Sequence, residues 1–195
     1  MKVLIDNGHG VETPGKRSPD GRLRECFYAR EIADRMIYSL QAAGIDAIRI
    51  VPEGADIPLS ERVARANKYY VESSKQAILV SIHCNAAGDG SAWMTARGWS
   101  VFVDTTASTN SKRLATAMAD VAKEKGVTVR KETGDRNYWM SSLYICKHTN
   151  CPAVLIENFF QDNKEDVDFL LSEKGKQCIT DIMVEGIKKY LTNKK

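Results

Sequence analysis

The sequence has no long apolar run. The run near its start ends at Ile5, and no segment approaches the roughly 18 consecutive apolar residues that a membrane helix needs. We therefore expect no signal peptide and no membrane anchor, and we expect the chain to be made in the cytoplasm. Low-complexity segments and internal repeats are also missing, which argues against a linker-rich or repeat protein.

Neither a disulfide framework nor a strong excess of charge is present. The cysteines are odd in number and irregularly spaced, which predicts reduced thiols. They are Cys26, Cys84, Cys146, Cys151 and Cys178. The net charge of +3 is too small to indicate a nucleic-acid partner.

The composition that remains is typical of a folded domain. Of the 195 residues, 43% are apolar and 27% are charged, a balance that is common among globular proteins. A chain of this length usually forms one hydrophobic core. We therefore expect residues 1–195 to form a single domain, and we expect a monomer.

Strand-like and helix-like segments alternate along the chain. Apolar runs predict strands at 2–6, 45–51, 77–83, 98–104, 143–147 and 153–159. Apolar residues at helical spacing predict helices at about 29–40, 59–74, 111–126 and 179–190. This order predicts an α/β fold with a twisted, mostly parallel sheet of about six strands and helices on both faces.

Three chemically active side chains fall at the ends of predicted strands. His9, His83 and Glu157 each follow an apolar run, and the carboxyl ends of parallel strands meet at one edge of a sheet, where ligands bind. Two histidines and a glutamate are a common ligand set for catalytic zinc. Glu157 is placed to accept a proton from a water molecule that zinc activates. Asp6 could orient His9.

Several motifs occur in a characteristic order. DNGHG lies at 6–10, LSER begins a segment at 59–67, SIHCNA lies at 81–86, and PAVLIE lies at 152–157. Together they resemble the zinc-dependent N-acetylmuramoyl-L-alanine amidases of the amidase 3 type. That family has D-P-G-H-G, an arginine-containing helix, S-I-H-x-N-A and P-A-V-L-V-E in the same order. The resemblance covers nearly the whole chain.

The resemblance implies a role for each matching residue. His9, Glu25 and His83 would bind Zn²⁺, and Glu157 would be the catalytic carboxylate. The resemblance also implies that the substrate is peptidoglycan. The bond cut would be the amide between the lactyl group of N-acetylmuramic acid and L-alanine of the stem peptide.

The sequence departs from the family pattern at two places. Asn7 stands where proline is usual, and residues 158–160 replace a sequence that usually contains glycine. Some amidases of this type also carry a helix after the second histidine motif that blocks the zinc. Here only residues 87–97 precede the next predicted strand, and Gly88 and Gly90 disfavour a helix. We therefore expect an open site.

Simpler roles remain open for several of these residues. Glu25 could interact only with the dipole of its helix, and Glu31 is then the nearest alternative ligand. Glu157 could be an ion-pair partner. Arg136 could contact a substrate carboxylate or the developing oxyanion, or it could be a solvated loop residue. The C-x-H-x-x-C segment at 146–151 lacks the spacing of a zinc site.

Two other functions are compatible with the pattern. A zinc peptidase that cuts another amide bond of the stem peptide would use the same chemistry, and an inactive wall-binding module would need a broken site. Peptidoglycan lies outside the cytoplasm, yet no export signal is apparent. Release through a membrane hole, as for a phage lysin, or an export segment missing from this sequence would let the protein act at the periplasmic or extracellular wall.

Overall fold

The computed structural model describes residues 1–131 and 134–193. Within them the strands are β1 (Lys2–Asn7), β2 (Asp46–Arg49), β3 (Ala77–Asn85), β4 (Ser100–Val103), β5 (Trp139–Met140) and β6 (Ala153–Phe160). The helices are α1 (Glu25–Ala42), α2 (Leu59–Glu72), α3 (Thr109–Glu124), α4 (Tyr144–His148), α5 (Lys164–Leu171) and α6 (Glu173–Thr192). None of these helices is both long enough and apolar enough to cross a bilayer.

The strands form one sheet in the order β2-β1-β3-β6-β4-β5. Strands β1, β2, β3 and β6 run parallel to one another, whereas β4 runs antiparallel to β6 and β5 runs parallel to β4. Because β1, β3 and β6 are neighbours and run in the same direction, their carboxyl ends share one edge. The prediction of a mostly parallel six-stranded sheet is confirmed.

Two apolar layers cover the two faces of the sheet. The larger layer packs α1, α3, α5 and α6 against strand residues such as Val80 and Val154. The smaller layer packs α2 and α4 against Leu79 and Leu155. Successive strand residues point to opposite faces, so a strand that is covered on both sides must be apolar throughout. The prediction of helices on both faces is confirmed.

The segment 143–147 is helical, and its prediction as a strand was wrong. It forms α4, in which Lys147 N donates to Leu143 O at 2.8 Å. The side chain of Ile145 is buried in the smaller layer beside α2. A short apolar run looks the same in sequence whether it forms a strand or one turn of buried helix. Contacts with α2 and the sheet decide between them.

Two further elements, β5 and α5, are absent from the sequence prediction. β5 has two residues and pairs with β4, so it takes the place of 143–147 as the sixth strand. α5 begins after Asn163, whose side chain accepts a hydrogen bond from Asp166 N at 3.0 Å. All five cysteines are free thiols, as their number and spacing predicted.

Candidate active site

His83 and Glu157 lie side by side at the carboxyl edge of the sheet. His83 is near the end of β3, Glu157 is in β6, and the parallel register pairs the two residues directly. Because side chains alternate along a strand, both belong to the face that carries Leu79 and Leu155. The register therefore places an imidazole and a carboxylate on neighbouring strands, facing the same side.

The loop after β1 brings His9 to the same edge. His9 has a φ of 60°, in the left-handed region that non-glycine residues rarely adopt. Its carbonyl oxygen accepts a hydrogen bond from Arg30 Nη1 at 3.0 Å, and Arg30 Nη2 donates to Glu53 O at 2.8 Å. The imidazole of His9 lies edge-on to that of His83, with 4.9 Å between the ring centroids.

Glu25 completes a group of three potential metal ligands, which we call the ligand triad. It is the first residue of α1, and it is buried. Its Oε1 lies 3.0 Å from His83 Nδ1 and 3.4 Å from His9 Nε2, and one donor atom from each of the three lies within 4.8 Å of the others. Donors about 2.1 Å from a tetrahedral zinc ion lie about 3.4 Å apart. The three side chains can therefore share one ion with little movement.

The charges in the ligand triad depend on one another. Burial raises the pKa of Glu25, but hydrogen bonds from His83 and His9 outweigh it and hold the pKa well below its ordinary value. Burial lowers the pKa of His83, yet the bond to Glu25 leaves it raised overall. Glu25 is therefore an anion. Its Oε2 is buried and has no hydrogen-bond partner in the described part of the chain, which leaves an acceptor free for a cation.

Glu157 can exchange a proton at neutral pH. Burial raises its pKa to about 7, against the opposing charge of His83. Its Oε2 is buried and finds no hydrogen-bond partner among residues 1–131 and 134–193. A carboxyl group with a pKa near 7 is populated in both protonation states, as general acid–base catalysis requires.

The site opens to solvent on the side of α2 and α4. A cavity of about 340 Å³ reaches His9 and His83, and its apolar wall includes Leu59, Leu143 and Tyr144. Residues 86–97 are all described, and none of them is helical. No helix from this segment covers the site, as expected.

A family model described as N-acetylmuramoyl-L-alanine amidase matches residues 3–189. The chain belongs to this family. Its sequence resemblance to these amidases is thereby confirmed.

Individual relatives align with nearly all of this amidase. It is 31% identical over 189 residues to the uncharacterized protein YqiI of Bacillus subtilis (strain 168), an alignment that covers 96% of this chain and 84% of YqiI. It is 27% identical to the endolysin of Bacillus phage SPP1, with 99% of this chain and 67% of the endolysin covered. The crystal structure of N-acetylmuramoyl-L-alanine amidase from Clostridium difficile 630 matches with a TM-score of 0.83 at 26% identity, covering 100% and 98% of the two chains.

The amidase departs from the family pattern at a bulge just beyond the site. The register between β3 and β6 shifts after His83, and Phe159 takes a φ of 61°, which glycine would adopt without steric cost. Asn158 Nδ2 donates to His83 O at 3.1 Å, and its Oδ1 accepts from Trp99 Nε1 at 3.1 Å. The segment 158–160, which departs from the family pattern, therefore supports the backbone of His83 through Asn158.

Asp6 does not orient His9, contrary to the expectation from sequence. Its Oδ1 accepts a hydrogen bond from Arg62 Nη1 at 3.0 Å, and its Oδ2 accepts one from Ser81 Oγ at 2.6 Å. Arg62 Nη1 also donates to Asn7 O at 3.0 Å. Asp6 is engaged by these two buried partners, so it joins α2 to the strands that carry the ligands.

The remaining candidates are not part of the ligand triad. Arg136 is exposed in the loop before β5, two strands from β6, and its Nη1 lies 2.8 Å from Met140 Sδ. A role for Arg136 in substrate binding stays a prediction. Glu31 forms surface ion pairs with Arg35 and Lys176. Among the described residues, no metal-ligand group forms around 146–151.

Sequence reasoning missed two residues that hold the site in shape. Arg30 bridges the carbonyls of His9 and Glu53, and nothing in the sequence singles it out, because α1 carries several other charged residues. Asp162 Oδ2 accepts hydrogen bonds from the backbone N of Ala87 at 2.8 Å and of Gly88 at 2.7 Å. Nothing local marks Asp162, because its partners are distant in the chain.

Proposed function

We propose that this amidase is a zinc enzyme that hydrolyses the amide bond between N-acetylmuramic acid and the L-alanine of a peptidoglycan stem peptide. The observation that carries the proposal is the convergence of three metal-ligand side chains beside Glu157 at an open edge of the sheet. Two imidazoles and one carboxylate form the donor set of many catalytic zinc sites. The family to which the chain belongs supports the choice of bond.

His9, Glu25 and His83 would hold the zinc ion. Their donor spacing, the anionic state of Glu25 and its unpartnered Oε2 all fit a divalent cation. Zinc supplies Lewis acidity, which polarises the amide carbonyl and makes a water molecule more acidic. Arg30 and Asn158 would keep the two imidazoles in position through the carbonyls of His9 and His83.

Glu157 would move the proton. Its carboxylate takes a proton from the attacking water and then gives it to the amide nitrogen, so that L-alanine leaves as a neutral amine. A pKa near 7 supports both steps at neutral pH. The direct register between Glu157 and His83 supports a place for it beside the reacting atoms.

We further propose that residues 1–195 act as one monomeric catalytic domain, with peptidoglycan as its partner at the periplasmic or extracellular wall. The match to 98% of the Clostridium difficile amidase chain supports one domain. The relation to a phage endolysin supports a site of action outside the cytoplasm.

The variant Glu157→Gln tests the mechanism. We expect it to bind one zinc ion per chain, as the parent does, and to lose roughly 10²–10⁴-fold in turnover, which is the usual contribution of a general acid–base group. Glu31→Gln is the matched control, because Glu31 lies on the surface away from the ligand triad. Zinc would be measured by elemental analysis, and products by mass spectrometry of digested peptidoglycan.

The products separate the alternatives. Stem peptides that begin with L-alanine, together with intact glycan, support the proposed bond. Fragments cut within the stem would instead identify a zinc peptidase. A protein that binds walls without zinc and without product would be a binding module, and full activity in Glu157→Gln would contradict the proposed proton transfer.

A further inference from the structure

The loop at 11–24, which leads directly into Glu25 at the start of α1, lines a cationic cavity. The cavity has a volume of about 480 Å³. Its charged lining residues are Lys16, Arg17, Arg24 and Glu12. Glu12 Oε1 accepts a hydrogen bond from Asp56 N at 2.8 Å, so its carboxylate is already engaged. The positive charges therefore dominate this cavity.

Two of these cations are available to a ligand. Neither Lys16 nor Arg17 forms an ion pair with a carboxylate in residues 1–131 and 134–193. Arg22 of the same loop, by contrast, is paired with Asp20 and Asp168. The loop thus neutralises one of its arginines and leaves Lys16 and Arg17 unpaired at the cavity.

Lys16 is tied to the reaction centre. Glu25 N donates to Lys16 O at 3.0 Å, which holds the backbone of Lys16 against the start of α1. Burial raises the pKa of Glu157, and the ammonium of Lys16 is one of the charges that oppose this rise. The charge of Lys16 therefore acts on Glu157, the residue that we propose as the proton carrier.

The cavity that reaches the ligand triad and the cavity of the loop at 11–24 differ in character. The cavity that reaches His9 and His83 has an apolar wall that includes Leu143 and Tyr144, whereas the loop at 11–24 offers unpaired positive charge. The two halves of the proposed substrate differ in the same way. The glycan half is uncharged at the lactyl group, and the peptide half carries carboxylates. Charge complementarity favours binding of the peptide half along the loop at 11–24.

We propose that Lys16, with Arg17 beside it, binds the carboxylate on the second residue of the stem peptide. This inference rests on the proposed function. The nitrogen released belongs to L-alanine, so the second residue begins about one residue further on, roughly 3.5 Å of chain. That residue is a glutamate whose α-carboxylate is free in some walls and amidated in others. Lys16 would therefore make the enzyme prefer stems with the free carboxylate.

A pair of synthetic substrates tests the inference. One is N-acetylmuramoyl-L-alanyl-D-isoglutamate with a free carboxylate, and the other carries the amide in its place. We expect the parent to favour the free acid in kcat/KM by about tenfold, the scale of a charge-assisted hydrogen bond. Lys16→Gln should lose this preference, because its kcat/KM falls further on the free acid than on the amide, and Lys16→Arg should keep it. Lys188→Gln, an exposed lysine of α6, is the control for net charge.

Binding of the peptide product gives a second readout. The dipeptide with the free carboxylate should bind the parent about tenfold more tightly than its amide, and Lys16→Gln should bind both alike. Equal loss on both substrates in Lys16→Gln would overturn the inference, because Lys16 would then act on the reacting bond. An effect seen only on whole walls that carry anionic polymers would also overturn it. If the parent cuts neither substrate nor peptidoglycan, the proposed function itself fails.

Discussion

Gly8 leaves the space that the imidazole of His83 occupies. A Cβ atom at position 8 would lie 2.5 Å from His83 Nδ1 and 2.8 Å from His83 Nε2, which is closer than side-chain atoms approach one another. The residue that follows, His9, has a positive φ, so the backbone turns sharply just where the two rings meet. Glycine is therefore required at position 8 because the ring of His83, on the neighbouring strand, occupies the space that a side chain would need.

Gly8→Ala should weaken zinc binding about 10–100-fold, the usual effect of disturbing the support of a metal ligand. The added methyl group displaces the ring of His83, whereas the core remains packed. Competition against a chromogenic zinc chelator would measure the affinity, and circular dichroism would check the fold. Gly54→Ala is the matched control, because its Cβ would meet only Val11 Cγ1, at 4.0 Å. Unchanged affinity in Gly8→Ala would contradict the packing argument.

At the scale of an element, α2 is held to the sheet by a buried ion pair. Arg62 is 2% exposed and Asp6 is 1% exposed, and their side chains lie 3.0 Å apart. Arg62 Nε also donates to Ile57 O at 2.6 Å. Removing one member of a buried pair leaves the other charge without compensation, which is far costlier than losing a surface pair.

Arg62→Met should therefore lower the free energy of unfolding by about 3–5 kcal/mol. Arg65→Gln on the same helix breaks ion pairs with Glu53 and Glu61, which are partly exposed, and should lower it by less than about 1 kcal/mol. Urea unfolding followed by circular dichroism would measure both. Similar losses in the two variants would show that burial does not set the strength of the Asp6 pair.

The loop at 86–97 is held by the turn that precedes α5. Asp162 Oδ2 accepts from the backbone N of Ala87 and Gly88, and Asp162 O accepts from Met94 N at 2.7 Å. This attachment holds the loop in an ordered, non-helical conformation.

Asp162→Ala should speed amide hydrogen exchange at Ala87 and Gly88, because these N–H groups lose their acceptor. The amide of Met94 bonds to the main-chain carbonyl, which the variant keeps, so its exchange should change less. Exchange followed by mass spectrometry at residue resolution would show the difference. Asp168→Ala, which removes only a surface pair with Arg22, is the control. Equal exchange in all three proteins would contradict the assigned role of the side chain.

At the scale of the whole molecule, zinc binding should stabilise the fold, because its ligands come from β3, α1 and the loop after β1. At a free zinc concentration of 100 times Kd, binding adds about 2.7 kcal/mol. For a chain of this size that corresponds to a rise in Tm of roughly 5–10 °C. His9→Ala should lose the rise, whereas His148→Ala should keep it, since His148 lies in α4 beside Tyr144. Calorimetry with and without chelator would test this, and an equal rise in both variants would place the ion elsewhere.

Much of the fold was readable from local patterns. Each of the strands β1, β3 and β6 contains a continuous apolar run because both faces of the sheet are covered. These runs, at 3–5, 77–80 and 153–156, are visible in the sequence. Helices α1 and α3 follow from apolar residues at helical spacing. The segment 143–147 was misread because its apolar run is too short to show a period. β5 was missed because two residues carry no pattern at all.

The residues of the candidate site also fall into two groups, those that the sequence marks and those that only the fold brings together. The sequence alone was enough to select the four side chains that we propose for chemistry: His9, His83 and Glu157 follow apolar runs, and the family resemblance added Glu25. Only the tertiary structure decided how these side chains are held. Asp6 pairs with Arg62 rather than with His9. Arg30 donates to the carbonyl of His9, and Glu25 N donates to the carbonyl of Lys16. These contacts join residues far apart in the chain, and no local propensity records them. Their geometry arises only when the packed sheet brings those residues together.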